Sequence, residues 1–339
     1  MVWTIVSAIL VFCFLIISHE FGHFIAAKAC GVYVEDFSLG MGPKLLQFHG
    51  KETTYTLRPF PIGGWCKMRG EDEDSEDPRA FNNKKVWQRM IIVAAGPFMN
   101  FLCAFLLFIV IYMMIGTVST ANVVGSTEDS SPAAQVLQAG DEIIDINGMT
   151  ISSWNDIGAA VNSGSEGSPL SITVIRDGQT LVLSISPVYN EEAQQWKLGI
   201  MPMTEHQNIF TAIKLGCVQS VNFAVTLILS IGQMITGQIE ADVAGPVGIV
   251  NLIGQASGYG IQYLLILTAY LSINLGLINL FPLPALDGSR LVFMLVEAIR
   301  RKPVPREKEG MVHFIGMILL FGLMIVITYN DIVRLVTGG

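Results

Sequence analysis

Residues 2–18 (VWTIVSAILVFCFLIIS) carry no charge, and apolar character resumes after His19 and Glu20, so this run can cross a hydrocarbon core of roughly 30 Å. Residues 90–118 form a second uncharged run, 262–286 ends a third and 310–330 makes a fourth. Four spans are the base count. A cleaved signal peptide is not expected, because MVW lacks a basic flank and no small-residue cleavage pattern follows the apolar stretch. Only 14% of the 339 residues are charged, against about a quarter in soluble chains, which speaks for a membrane protein. The formal charge of −8 and the pI near 5.1 offer no phosphate-neutralising surface, so nucleic acid is excluded as a partner and the lipid bilayer is the first one. Cys13, Cys30, Cys66, Cys103 and Cys217 show no CxxC spacing and read as small apolar filler.

Loop charges set the orientation. Residues 28–89 hold ten basic side chains and 290–308 hold six, which places both loops in the cytoplasm. Residues 118–208 hold only Arg176 and Lys197 against eleven acids and belong on the other side. An outside N-terminus then lets spans one to four alternate and satisfies each loop. A further run, 215–239, is uncharged but diluted by Gln219, Ser220, Asn222, Ser230 and Gln233. If it crossed, the third span would run the wrong way, so 209–239 is expected to be an amphipathic or re-entrant helix at the outer interface.

Between spans two and three the period changes. SITVIRDGQTLVLSIS (171–186) alternates around Asp177-Gly178, a hairpin signal, while DEIIDING (141–148) is a second strand and turn and 153–163 a short helix. The stretch SPAAQVLQAGDEIIDINGMTI (131–151) resembles a circularly permuted PDZ domain, with Val136-Leu137 where relatives carry Gly-Leu. Peptide capture by strand addition near Val124-Gly125 and a folded plug that binds nothing are equally compatible with it.

Span one ends in His19-Glu20-Phe21-Gly22-His23. On a continuing helix this HExxH pattern puts two imidazoles on one face, where they can share a metal, with Glu20 beside it. With five histidines and sixteen glutamates in the chain, chance yields on the order of 0.003 such pentads, and ionisable groups inside a span are costly unless functional. A catalytic zinc needs a third protein ligand and an open position. Span three delivers Asn279-Leu-Phe-Pro-Leu-Pro-Ala-Leu-Asp287-Gly288 to the same cytoplasmic end, making Asp287 the acid at the right depth. Its other reading is a cap for the helix that follows, a role open to Ser289 as well. His49, His206 and His313 fit poorly as ligands by position.

HEFGH in the first span, NLFPLPALDG in the third and the PDZ-like insert together resemble the site-2 protease family of intramembrane zinc metalloproteases, in its RseP/RasP-like branch. AAGPFMN (94–100) and AGPVGIV (244–250) extend the likeness over most of the chain. The resemblance implies a Zn2+ cofactor held by His19, His23 and Asp287, with Glu20 as the catalytic glutamate that takes a proton from an activated water. It also implies a membrane-re-entrant β-loop over 53–70, where YTLRPF and GWCKMR read as strands around Pro61-Ile62-Gly63-Gly64. There Gly63 and Gly64 either admit a substrate backbone or make a tight turn, and Pro59 and Pro61 restrict the first run to an edge. A substrate helix must unwind before it is cut, and its freed backbone can pair with such a strand. Asn279, ahead of Pro282 and Pro284, is expected to bond that substrate or the tetrahedral oxyanion and not merely to join helices, whereas Asn274 is left open. The acidic run 71–77 reads as a solvated loop.

The expected fold is a mainly α polytopic membrane protein, with four transmembrane helices, a membrane-associated β-hairpin loop and an inserted extracytoplasmic α/β PDZ-like domain. The expected divisions are 1–118, 119–190 (PDZ-like), 191–260 (interfacial linker) and 261–339. Substrates of the implied type are single-span membrane proteins: an anti-sigma factor, a remnant signal peptide or a pheromone precursor. The implied location is a bacterial inner (plasma) membrane. A non-catalytic scaffold with a structural zinc and a metal transporter are the competing classes. Glu20 disfavours the first, and the nearly bare second and fourth spans disfavour the second.

Overall fold

The computed structural model describes residues 2–71, 73–129, 131–164, 167–191, 194–239 and 244–337. Asp72, in the acidic run, lies outside them. Among the described residues the α-helices are α1 (Val2–Ala29), α2 (Val86–Met114), α3 (Trp154–Gly164), α4 (Ile209–Ile235), α5 (Pro246–Tyr259), α6 (Ile261–Leu280), α7 (Asp287–Arg300) and α8 (Arg306–Thr337). The chain forms two compact units, Met1–Ile111 with Ala212–Gly339, and Tyr112–Thr211.

In the first unit α1, α2, α4, α6 and α8 are each long and apolar enough to cross a membrane. Four of them match the expected spans. The fifth, α4, is one continuous helix of 27 residues despite its scattered amides and hydroxyls. Helices in lipid gain little from hiding apolar surface from one another, so close approach depends on small residues. Gly22 of α1 lies so near α2 that a Cβ there would stand 2.1 Å from the Ala95 carbonyl oxygen. Gly276 of α6 meets Pro97 of α2 in the same way, at 2.9 Å, and Ser272 Oγ donates to the Asn100 carbonyl at 2.8 Å. The helix pair α1 and α5 is joined by Ser7 and Ser257, whose hydroxyls are 3.0 Å apart. A core of Ala27, Val32, Val34, Cys66, Met68, Phe81, Ile92, Val93 and Met294 ties the end of α1 to the start of α2, to α7 and to a small sheet.

That sheet corrects the expected hairpin. It has four strands, β1 (Val34–Met41), β2 (Leu46–His49), β3 (Thr54–Leu57) and β4 (Phe60–Met68), in the order β2-β3-β1-β4. The two strand-like runs are therefore not neighbours, because β1 lies between them, parallel to β3 and antiparallel to β4. Gly40 makes this possible. Its φ is +84°, and a side chain there would lie 2.7 Å from the Phe60 carbonyl oxygen and 2.9 Å from that of Arg58, on the short link that crosses β1. Pro61 does sit in an edge strand, but that strand is β4, whereas β3 is interior.

The second unit carries β5 (Thr117–Val118), β6 (Val124–Thr127), β7 (Glu142–Ile146), β8 (Met149–Thr150), β9 (Leu170–Arg176), β10 (Gln179–Ile185), β11 (Val188–Asn190), β12 (Gln195–Lys197), β13 (Ile200–Pro202) and β14 (Thr204–Glu205). One sheet runs β10-β9-β7-β8, and the pairs β6–β13, β5–β14 and β11–β12 complete the unit. The β9–β10 hairpin turns at Asp177-Gly178, as the alternation predicts. Ile143, Ile146, Leu170, Ile172 and Val174 are fully buried against Ile157 and Val161 of α3. Strands up to Glu205 belong to this unit, so it reaches further than 119–190 at both ends.

Candidate active site

Two helices and a helix break bring His19, His23 and Asp287 together. His19 and His23 stand one turn apart on α1. Leu280 ends α6, Phe281 to Leu286 form an irregular turn with two prolines, and Asp287 opens α7. Gly288 lets the turn fold back, since a Cβ there would lie 2.1 Å from the Phe281 carbonyl oxygen. Asp287 does not cap α7 with its side chain. Instead Oδ2 lies 3.1 Å from His19 Nε2 and 3.4 Å from His23 Nε2, and the two Nε2 atoms are 3.2 Å apart.

These separations match a donor set for zinc. With ligand bonds of about 2.0–2.1 Å, the edge of a tetrahedron is about 3.3 Å. The chemistry of the donors agrees. His23 Nδ1 is 2.9 Å from the Ile92 carbonyl, which can only accept, so Nδ1 carries the proton and Nε2 presents a lone pair. Among the described residues Asp287 Oδ2 is buried without an aligned hydrogen bond, an arrangement that a cation between the three atoms would satisfy.

Around this trio the supports are specific. Glu20, half-buried, lies against the sheet, where a Cβ on Gly64 would stand 3.1 Å from its Cγ. Gly64 therefore admits the chain's own Glu20 and Ile16, and Gly63 takes a φ of +86°. Arg290 pairs with Glu71, so the first acid of the run 71–77 is engaged with α7 instead of solvated. Arg89 Nη2 holds Glu297 Oε1 at 2.6 Å and fixes the same helix to α2. From α8, His313 Nδ1 accepts the Ala285 N–H at 3.0 Å, which steadies a residue held at φ +74° just before Asp287. Asn279 is half-buried near the end of α6, and among the described residues its amide makes no hydrogen bond.

Asn100, Arg290 and His313 were given no role by the sequence. Asn100 is fully buried in α2, and its Nδ2 is 3.3 Å from His19 Nδ1. An amide in the middle of an apolar span was the available signal.

The model of peptidase family M50 matches residues 7–323. The chain belongs to this family, the site-2 proteases. A protein of Clostridium acetobutylicum named as a zinc metalloprotease is 41% identical over 336 residues, covering 98% of each chain. The zinc metalloprotease RasP of Bacillus licheniformis is 34% identical, covering 98% of this chain and 99% of RasP. The regulator of sigma-W protease RasP of Bacillus subtilis is 32% identical, with the same two shares. Both RasP alignments run over more than 410 positions against 339 residues here, so RasP carries sequence that this chain lacks. The solved PDZ domain of an SdrC-like protein of Listeria innocua matches 26% of this chain and 99% of its own length, at 24% identity and a TM-score of 0.23. This M50 peptidase is thus a zinc-dependent, multi-pass intramembrane protease that acts on membrane proteins.

Proposed function

We propose that His19, His23 and Asp287 hold the zinc ion of this protease and that Glu20 is its proton-transferring carboxylate. The observation that carries this reading is the set of separations between 3.1 and 3.4 Å among the three ligand atoms. Bound there, zinc supplies the Lewis acidity that activates a water and polarises a peptide carbonyl. Glu20 accepts the proton that the attacking water gives up and passes it to the nitrogen of the leaving amine as the peptide bond breaks. Hydrolysis is then balanced without another co-reactant.

The substrate segment has to unwind first, and its exposed N–H and C=O groups need partners. Among the described residues, strand β4 pairs with β1 on one side only, and its Gly64 lies against Glu20. The free edge of β4 receives the unwound segment in this reading, with Gly63 and Gly64 on that strand and Asn279 bonding the substrate backbone from the end of α6. The substrates are single-span proteins of the anti-sigma factor, remnant signal peptide or pheromone precursor type. The unit Tyr112–Thr211 is PDZ-like, stands outside the cell's plasma membrane and limits which substrates reach the site. The cytoplasmic side carries the sheet and α7, as their basic loops require. Spans α1, α2, α6 and α8 cross, and α4 lies at the outer interface.

The test is a paired assay on purified protein with a reconstituted single-span substrate. Glu20→Gln keeps zinc and loses cleavage, whereas His23→Ala loses both. Cleavage at the wild-type rate by the Glu20→Gln protein would refute the assignment.

A further inference from the structure

Asn100 has one hydrogen-bond contact for its amide among the described residues, and that contact is His19. Nδ2 stands 3.3 Å from His19 Nδ1. The other amide atom, Oδ1, is buried with no partner. The residue itself is 0% exposed, so solvent does not make up the deficit.

This pairing has a chemical consequence for the ligand. With Nδ2 donating, His19 Nδ1 must be an acceptor, which puts the imidazole proton on Nε2, the atom that faces Asp287 Oδ2 at 3.1 Å. A nitrogen that carries a proton cannot ligate a metal. When His19 gives the Nε2 lone pair to a cation, its proton sits on Nδ1 and that N–H needs an acceptor. The amide of Asn100 supplies one by exchanging its two ends, which are interchangeable in shape. Since Oδ1 has no bond to lose, no hydrogen bond opposes the exchange. His23 solves the same problem with a fixed acceptor, the Ile92 carbonyl at 2.9 Å. Each imidazole of the pair thus has its own backing group on α2, a backbone oxygen for His23 and a side-chain amide for His19.

We propose that Asn100 is the positioning residue for His19, its Oδ1 accepting the Nδ1–H and so holding the ring in the tautomer and orientation that metal ligation requires. Ser272, which donates to the Asn100 carbonyl at 2.8 Å, fixes the backbone from which the amide projects. The inference rests on His19 being a zinc ligand.

The experiment measures zinc affinity of the full-length protein in detergent by competition with a chelator of known affinity, with a thermal melt alongside. Asn100→Leu keeps the volume and removes the acceptor, and zinc affinity falls about 10–100-fold. Asn100→Asp keeps an acceptor and stays within about threefold of wild type, a rescue that packing alone does not produce. Leu and Asp variants of equal affinity, beside a wild type that binds tightly, overturn this inference and leave the ligand assignment standing. A wild type that takes up no zinc overturns both. Should the Leu variant not fold, nitrogen NMR of histidine-labelled, zinc-loaded wild type reads the tautomer directly. A proton on His19 Nδ1 supports the inference, and metal on that atom sinks it.

Discussion

Gly96 of α2 faces the imidazole of His23 so closely that a Cβ at position 96 would lie 2.2 Å from Nε2. The ring cannot stay where it is if that position carries any side chain, because its Nδ1 is tied to Ile92 on the same helix. Gly96→Ala therefore forces the ring or the helix to move, with an overpacking cost of about 1–3 kcal/mol. Zinc affinity is expected to fall at least tenfold, and chelator competition on the purified protein measures it. A variant with wild-type affinity would show that this contact does not hold the ligand.

The contact between α8 and the turn before α7 predicts a milder effect. His313 accepts the N–H of Ala285, whose φ of +74° suits glycine better than alanine. His313→Phe leaves that N–H without its acceptor and loosens the turn that presents Asp287. Zinc affinity is expected to drop several-fold while the helices remain intact by circular dichroism. Ala285→Gly relieves the backbone strain and should tolerate the loss of His313 better, so the double variant binds zinc more tightly than His313→Phe alone. No difference between the two would argue against a strained, clamped turn.

Much of the site could be read before the fold was known, because its parts are short-range patterns with a fixed geometry. HExxH sets two imidazoles on one helical face, and alternation of the spans puts Asp287 at their depth, so their meeting follows from period and parity. The sheet was less legible. Val34–Met41 includes Glu35 and Asp36 and two register shifts, so no clean alternation marks β1, and without β1 the later strands look like a simple hairpin. Asn100 and His313 lie 81 and 28 residues from the partners they support, and no local pattern signals either contact. Likewise α4 is continuous although its polar residues dilute it: Ser220 Oγ bonds back to the Gly216 carbonyl and Gln219 Nε2 donates to the Tyr270 hydroxyl of α6.

In the unit Tyr112–Thr211, Asp141 accepts from Arg176 Nε and Nη2 and from the Gln138 N–H. Burial works to raise its pKa, but the guanidinium and the N–H prevail and hold the carboxyl below the ordinary value. A folded-state pKa below the unfolded value contributes stability at higher pH, which is lost as pH falls through the folded-state pKa. Asp141→Asn should cost about 1–3 kcal/mol at pH 7, and the gap to wild type should narrow below about pH 4. Hydrogen exchange of the β7 and β9 amides in the full-length protein, corrected for intrinsic rates, measures both. Equal protection of the two proteins at pH 7 would remove the pair from the stability of this unit.

The path of α4 decides the topology. Its ends, near Phe210 and Ile235, are both strongly exposed, and the helix is long enough to cross. If it crosses, α6 runs outward and carries Asp287 away from the side to which the basic loops assign His19 and His23. If it lies at the interface, the two ends face the same compartment and the site closes with four spans. Single cysteines at 210 and 235, in a chain whose five native cysteines are replaced, are therefore expected to react together with a membrane-impermeant thiol reagent added from outside. A cysteine at Phe48, in the exposed strand β2, should react only after the membrane is opened. Labelling of 210 from outside and of 235 only after opening would make α4 a fifth span, and the orientation drawn from loop charge would have to be given up.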